Sequence, residues 1–210
     1  MILQLPNIVG ETDLAHIVSV LGDGQWQDGR LANSNHHEPW ERDLLRKIEN
    51  TPKFVSAALP VRCVPPFFRK IDASAQSTLK VHKAVRALGT SGEKARIDLI
   101  GLLVLLSPSG GSSGEVALRD SYGEHLFHLK PGTMLLYPAS MQQRLPQPEV
   151  GYRYYAEIGV QSMVRDDAQR KMLFDMDTAI QVLASEFPTN PQVDKLSGVY
   201  HALLRYWARP

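Results

Sequence analysis

Leu99-Ile100-Gly101-Leu102-Leu103-Val104-Leu105-Leu106 carries no charged or polar side chain. The run is too short to span a bilayer, and Ser107 to Gly114, dense in Ser, Gly and Pro, follows it. A short apolar run with branched residues beside a turn cluster reads as a strand buried on both faces. The same texture extends outward from Val55 to Val160. Short branched runs alternate with Thr90-Ser91-Gly92, Tyr122-Gly123, Pro131-Gly132 and Pro146 to Gly151. That spacing predicts an antiparallel β-sandwich or barrel. Ser109 to Gly114 reads as a flexible loop and not as a phosphate cradle, because no Lys-Ser/Thr pair follows its glycines.

Helical periodicity flanks this core. Leu14, Ile17, Val18 and Leu21 recur at one face, with Thr12 and Asp13 as cap residues and Gly22 and Gly24 as the stop. A second helix is expected over Pro39 to Glu49, with Leu44, Leu45 and Ile48 inward and Pro52 ending it. After Asp166, Leu173, Met176, Ile180 and Leu183 share a face; after a break at Phe187 to Pro191, Leu196, Tyr200, Leu203 and Trp207 share another. The chain therefore divides into a helical part (1–52), a β-core (53–165) and two C-terminal helices (166–210), all within one α+β, mainly β domain.

With 210 residues there is room for one well-buried core. Lys+Arg (23) and Asp+Glu (22) nearly cancel, which gives no electrostatic case for nucleic acid or an anionic membrane. The N-terminal MILQLPNIVG lacks the pattern of a signal peptide. A single cysteine, Cys63 in an apolar run, reads as a buried small hydrophobe with no neighbouring base. A reducing, cytoplasmic setting is expected.

Several phrases then carry a resemblance. Trp26-Gln27-Asp28-Gly29-Arg30, Phe54 to Pro60, Asp120-Ser121-Tyr122-Gly123-Glu124-His125, Gln161 to Asp167 and Gly198-Val199-Tyr200-His201 occur in this order along nearly the whole chain. Together they resemble the bacterial PKHD-type hydroxylases, a branch of the prolyl-hydroxylase-like Fe(II)/2-oxoglutarate oxygenases. The resemblance implies a double-stranded β-helix (jelly roll) packed on N-terminal helices, with a C-terminal helical pair.

It also implies a His-x-Asp pair and a distant His as iron ligands, and here this sequence departs. Lys83-Ala84-Val85-Arg86 matches the segment that follows the family's His-x-Asp, so the two ligand positions fall on Lys80 and His82. The distal His position falls on Gln143. The family arginine that pairs with the 2-oxoglutarate carboxylate matches Arg153, but the family tyrosine upstream falls on Ile71, and a Gly-rich stretch becomes Asp72 to Ser77. Tyr155 stands where a small side chain is usual, and the chain is shortened between Arg30 and Trp40. The expectation is a degenerate metal site with no metal and no cofactor.

Alternation on strands would place Lys80 with His82, and Arg153 with Tyr155 and Glu157, on pocket-facing surfaces. One reading is a metal-independent acid–base enzyme. His82, Lys80, Glu157 and Tyr155 would be catalytic, and Arg153, Gln143, Arg86 and Arg144 would bind a small anionic or carbonyl-bearing metabolite. A second is a non-catalytic pseudo-oxygenase in which Lys80 and Glu157 pair and plug the cavity. A third is a divergent hydroxylase with a relocated metal site. His36-His37-Glu38 reads as solvated loop, His125 and His128 as residues on opposite strand faces, and His16 and His201 as helix residues. The two C-terminal helices are also candidates for a homodimer contact.

Overall fold

The apolar run that anchors the sequence becomes the middle of a sheet with packing on both sides. The structure, a computed structural model, describes residues 1–32, 38–88, 92–108 and 114–209. In chain order the elements are β1 (Leu3–Leu5), α1 (Glu11–Gly22), β2 (Trp26–Gln27), β3 (Arg30–Leu31), α2 (Pro39–Glu49), α3 (Pro52–Ala58), β4 (Pro60–Cys63), β5 (Phe67–Asp72) and β6 (Val85–Ala87). There follow β7 (Lys94–Arg96), β8 (Leu99–Leu106), β9 (Gly114–Asp120), β10 (Gly123–Leu129), β11 (Met134–Pro138), β12 (Gln142–Arg144), β13 (Tyr152–Ser162), α4 (Asp167–Glu186) and α5 (Pro191–Trp207).

Eight strands form the large antiparallel sheet in the order β1-β11-β8-β13-β5-β3-β2, with β4 pairing the far end of β13. A smaller sheet, β10-β9-β12, faces it, and β6-β7 forms a separate ribbon. Alternation along β8 sorts its side chains between two cores. Leu99, Leu103 and Leu105 pack with α1, α2 and α3 residues such as Leu21, Ile48 and Phe54. Ile100, Leu102 and Val104 pack between the sheets against Val116 and Leu118 of β9. Each such fully buried side chain is worth about 1.5–3 kcal/mol, so β8 contributes to both halves of the interior. Gly101 at its centre leaves room for Met134, whose sulfur would lie 2.9 Å from a Cβ there and would have to shift for a larger residue.

The β-core, the jelly-roll layout and the flanking helices agree with the sequence reading, and three details differ. Pro52 begins α3 as its first-turn proline instead of ending the helical part. Phe54, Ala57 and Ala58, at helical spacing, are buried against the core, so β-texture begins only at Pro60. The N-terminal part also supplies β1, β2 and β3 to the large sheet. Finally, α1 is capped by Gly10 with no side-chain bond, and Thr12 and Asp13 lie inside its first turn.

α4 and α5 close the other end through Leu173 and Tyr200, with Met176, Ile180, Leu203 and Trp207 packed alongside, whereas Leu196 stays 36% exposed. Asp166 caps α4 by accepting from the Ala168 and Gln169 amides, both at 2.9 Å. No helix among the described residues is long and apolar enough to cross a membrane. The expected loop at 109–113, the turn residues Thr90 and Ser91, and His36-His37 lie outside the described residues.

Candidate functional site

A carboxylate stands at the centre of the inter-sheet core. Glu157 lies in mid-β13, opposite Leu102 of β8 and Phe67 of β5, and is 1% exposed. An ionised carboxylate at such a depth costs several kcal/mol unless charge and hydrogen bonds compensate it. The compensation comes from two arginines. Arg69, two residues along β5 on the same face, places Nη2 3.0 Å from Glu157 Oε2, a charge contact without hydrogen-bond geometry, and Arg86 of β6 pairs with Oε1. Burial alone would raise the Glu157 pKa, but the His82 ring and the charges of Arg69 and Arg86 outweigh it and hold the carboxyl well below the usual range.

His82 completes the cluster. Its Nδ1 lies 3.6 Å from Glu157 Oε1, and its Nε2 lies 3.2 Å from the Tyr137 hydroxyl. With Nδ1 protonated toward the carboxylate, Nε2 accepts the Tyr137 O–H. Tyr137 comes from β11 and is fully buried; burial and the nearby Glu157 charge raise its pKa well above the ordinary value. It therefore stays a neutral hydroxyl.

The positions to which the family resemblance assigns metal ligands are brought together. Lys80 forms an isolated antiparallel bridge with Gln143, each amide donating to the other's carbonyl, at 2.7 and 2.9 Å. Lys80 and His82 are not on a strand: Lys80 forms an isolated bridge, and residues 81–83 that follow it have no regular structure. Even so, both side chains line the same cavity. Burial, then Arg69 and Arg30, lower the Lys80 pKa against the opposing pull of Glu157. The Gln143 side chain is 2% exposed, and its Nε2 has no hydrogen-bond partner among the described residues. Among the described residues no three His, Cys, Asp or Glu side chains converge as a metal-holding group.

The cavity measures about 550 Å³ and is lined by Glu157, His82 and the cations Arg30, Arg69, Lys80, Lys83 and Arg86. A neighbouring cavity of about 900 Å³ shares Arg30, Arg69 and Lys80 with it. Arg69 Nε and Arg86 Nη1 are buried donors without hydrogen-bond partners among the described residues. Among the described residues lining the smaller cavity, five cations against one carboxylate, with donors to spare, is an arrangement that attracts anions, whereas the larger one also carries Asp28 and Asp72.

Not all of the sequence-predicted residues meet here. Arg153, Tyr155 and Glu157 do alternate on one face of β13, but the first two serve another partner. Arg153, 1% exposed, donates from Nη1 to the Pro146 carbonyl at 3.0 Å and lies 3.5 Å from Glu115 Oε2. The Tyr155 hydroxyl donates to the Glu115 carbonyl at 3.1 Å, and burial pushes its pKa up to about 12. Neither lines the cavity that holds Glu157. Arg144 pairs with Glu124 on the smaller sheet. The pairing expected between Lys80 and Glu157 is replaced by Arg69 and Arg86, and among the described residues no carboxylate lies within ion-pair range of Lys80.

Sequence reasoning missed Arg69, Tyr137 and Arg30. A signal existed for Arg69, an arginine alternating with Phe67 and Ile71 on a central strand, where an unpaired charge is not tolerated. No sequence signal marked Tyr137, which reads as an ordinary core residue. Elsewhere, His125 and His128 sit beside Asp120 and Glu115 at 3.6 and 3.7 Å, and Cys63 is buried with a carboxylate nearby. Burial first, then Glu49, raises the Cys63 pKa, so the expectation of a thiol without a neighbouring base is corrected to a thiol beside one that does not activate it.

Comparison with known proteins places this geometry in context. Residues 167–209 match the model of the PKHD-type hydroxylase C-terminal domain. The chain is 33% identical over 223 residues to a PKHD-type hydroxylase of Stutzerimonas stutzeri (strain A1501), covering 99% of each chain. It is 32% identical to the PKHD-type hydroxylase PiuC of Pseudomonas aeruginosa, again over 99% of both. Among solved structures, the viral collagen prolyl hydroxylase vCPH of Paramecium Bursaria Chlorella virus-1 superposes with a TM-score of 0.56 at 10% identity, covering 77% of this chain and 89% of that one. HygX of Streptomyces hygroscopicus, solved with nickel and 2-oxoglutarate bound, superposes with a TM-score of 0.56 at 12% identity, covering 78% and 84%. At such identities the structural likeness concerns the fold alone.

Proposed function

The chain belongs to the PKHD-type hydroxylase family, and on that premise we propose that it works without iron, using the cavity around Glu157 to receive a small anionic metabolite. The observation that carries this reading is the double clamp of Arg69 and Arg86 on Glu157, beside Lys80 and His82. The resemblance assigns the iron ligands to Lys80, His82 and Gln143, and this donor set does not fit a divalent iron. An ammonium repels the ion, an amide is a weak neutral donor, and the one imidazole has both nitrogens facing Tyr137 and Glu157. The nearest carboxylate is already neutralised by arginines. The cosubstrate position, Arg153, is committed to Glu115 and the Pro146 carbonyl. No step is therefore assigned to iron or to 2-oxoglutarate.

The cationic lining supplies what an anionic ligand needs. Arg69 and Arg86 present unused N–H donors in a partly desolvated space, where charge-assisted hydrogen bonds are strong. A second reading, acid–base catalysis, draws on the Tyr137–His82–Glu157 chain. A substrate C–H proton taken up by His82 Nε2, in place of the Tyr137 hydroxyl it faces, would leave an imidazolium stabilised by Glu157, while the surrounding cations would stabilise the enolate so formed. His82→Ala separates the two, since it abolishes turnover under the second reading and leaves ligand binding in place under the first.

Native mass spectrometry, before and after anaerobic addition of Fe(II) and 2-oxoglutarate, tests the proposal. We expect no stoichiometric iron and a co-purifying or added anion retained. One iron and one 2-oxoglutarate per chain would overturn it and restore an oxygenase with an unusual ligand set.

A further inference from the structure

The edge of the large sheet holds an arrangement that the clamp on Glu157 does not explain. β2 and β3 are joined by Asp28-Gly29, whose φ values of 49° and 69° are those of a two-residue hairpin turn with both centres left-handed. The turn cannot shift outward freely, because the Lys70 amide donates to the Gly29 carbonyl at 2.9 Å. A Cβ on Gly29 would lie 2.8 Å from the Lys70 carbonyl oxygen. The hairpin thus fixes Arg30 directly opposite Arg69 across the β3–β5 pair. Like charges in that relation destabilise a sheet.

Lys80 adds a third cation. Its backbone is pinned by the reciprocal amide bonds to Gln143, and its side chain lines both cavities together with Arg30 and Arg69. Among the described residues neither Arg30 nor Lys80 has a carboxylate within ion-pair range, and Arg69, which spends Nη2 on Glu157, leaves its buried Nε without a partner. Three cations held on rigid backbone at the junction of two cavities, of which among the described residues Arg69 alone has a paired carboxylate, match an oxyanion that would bridge them; Asp28 and Asp72, which also line the larger cavity, lie within ion-pair range of none of the three.

We propose that Arg30, Arg69 and Lys80 form an oxyanion subsite that takes the terminal phosphate or carboxylate of the metabolite bound in this cavity. The subsite rests on the reading of the cavity as an anion receptor and extends it, by placing one charged group of the ligand at the cavity junction, away from His82. Phosphate and carboxylate share the chemistry of a bridging, multiply accepting anion and differ in charge and geometry.

The test is isothermal titration of the full chain, held in chelator, with inorganic phosphate, glycerol 3-phosphate and succinate as probes. Saturable one-to-one binding is expected for the phosphate probes or for succinate, and which of them binds identifies the source. Arg30→Gln and, separately, Lys80→Met should each weaken that binding about tenfold or more, since each removes a charge-assisted contact. Lys195→Met, on α5 and lining neither cavity, should leave it unchanged. Using two variants on different segments keeps the test valid if one of them unfolds. Absence of saturable binding by every probe, or undiminished binding in the Arg30→Gln/Lys80→Met double variant, would overturn the subsite. Iron uptake seen by mass spectrometry would instead remove the metal-free reading and leave the titration result standing on its own.

Discussion

Replacing Glu157 with Gln removes the charge from the centre of the cluster and keeps its shape. Arg69 and Arg86, whose side chains are 14% and 12% exposed, then face one another with no counter-charge. Breaking a buried pair by removing one partner costs about 3–5 kcal/mol. The arginines here can be partly rehydrated through the cavity, so the lower end, about 3 kcal/mol, is expected. For a chain of this size that lowers Tm by about 6–12 °C.

Urea unfolding of the two proteins at neutral pH measures the difference, and repeating it in acid checks the cause. The Glu157 carboxyl is held below its unfolded value, so its stabilising contribution is complete above the usual carboxylate range. It is lost as pH falls through that range toward the depressed folded value. The gap between wild type and Glu157→Gln should therefore close in acid by up to about 1.4 kcal/mol per pH unit. The Glu157→Leu/Arg86→Leu double variant should lose less than the sum of its single changes, because the orphaned charge is removed with its partner. A loss below about 1 kcal/mol at neutral pH, against the range for buried pairs, or a gap that stays constant in acid, would refute the argument that Glu157 is an ionised, clamped carboxylate.

Two further outcomes follow from other parts of the molecule. Gly29→Val puts a branched side chain at φ 69° against the Lys70 carbonyl, so it should destabilise the fold by about 1–3 kcal/mol. It should also weaken anion binding by displacing Arg30, which calorimetry and titration report separately. The exposed Met172, Phe187, Leu196 and Val199 of the helical end support the proposal that two chains associate there. Light scattering on a size-exclusion column should return a dimer, and a monomer at micromolar concentration would refute that association.

The phrases that placed this chain in its family turn out to be structural. Gln161 to Asp167 forms the junction between β13 and α4. Arg96 donates to the Ser162 carbonyl at 2.9 Å, Asp98 accepts from the Ser162 amide at 2.9 Å, and buried Arg170 donates to the Val164 carbonyl at 2.6 Å. Trp26 to Arg30 forms the edge hairpin, with the Trp26 ring stacked on Tyr154 at 5.1 Å. Such motifs identify a fold because they set turns and junctions, and they are silent on the chemistry between the sheets.

From the sequence alone, alternation and turn spacing were enough to determine the β-core, the double burial of Leu99 to Leu106 and the helices at either end, since these depend on local periodicity and on which faces are apolar. It also marked Lys80, His82, Gln143 and Glu157 as residues out of place in a core or an iron site. Only the tertiary structure decided what they meet. Arg69 reaches Glu157 because β5 and β13 are neighbours in a particular register, and Arg30 meets Arg69 because a two-residue turn ends where it does. Arg153 and Tyr155, though on the same face as Glu157, are drawn to Glu115 of the smaller sheet. Tertiary folding joins residues far apart in the chain (Arg86 to Glu157 spans 71 positions, Arg69 to Glu157 still more), and no local pattern records which charge a buried carboxylate will find across that distance.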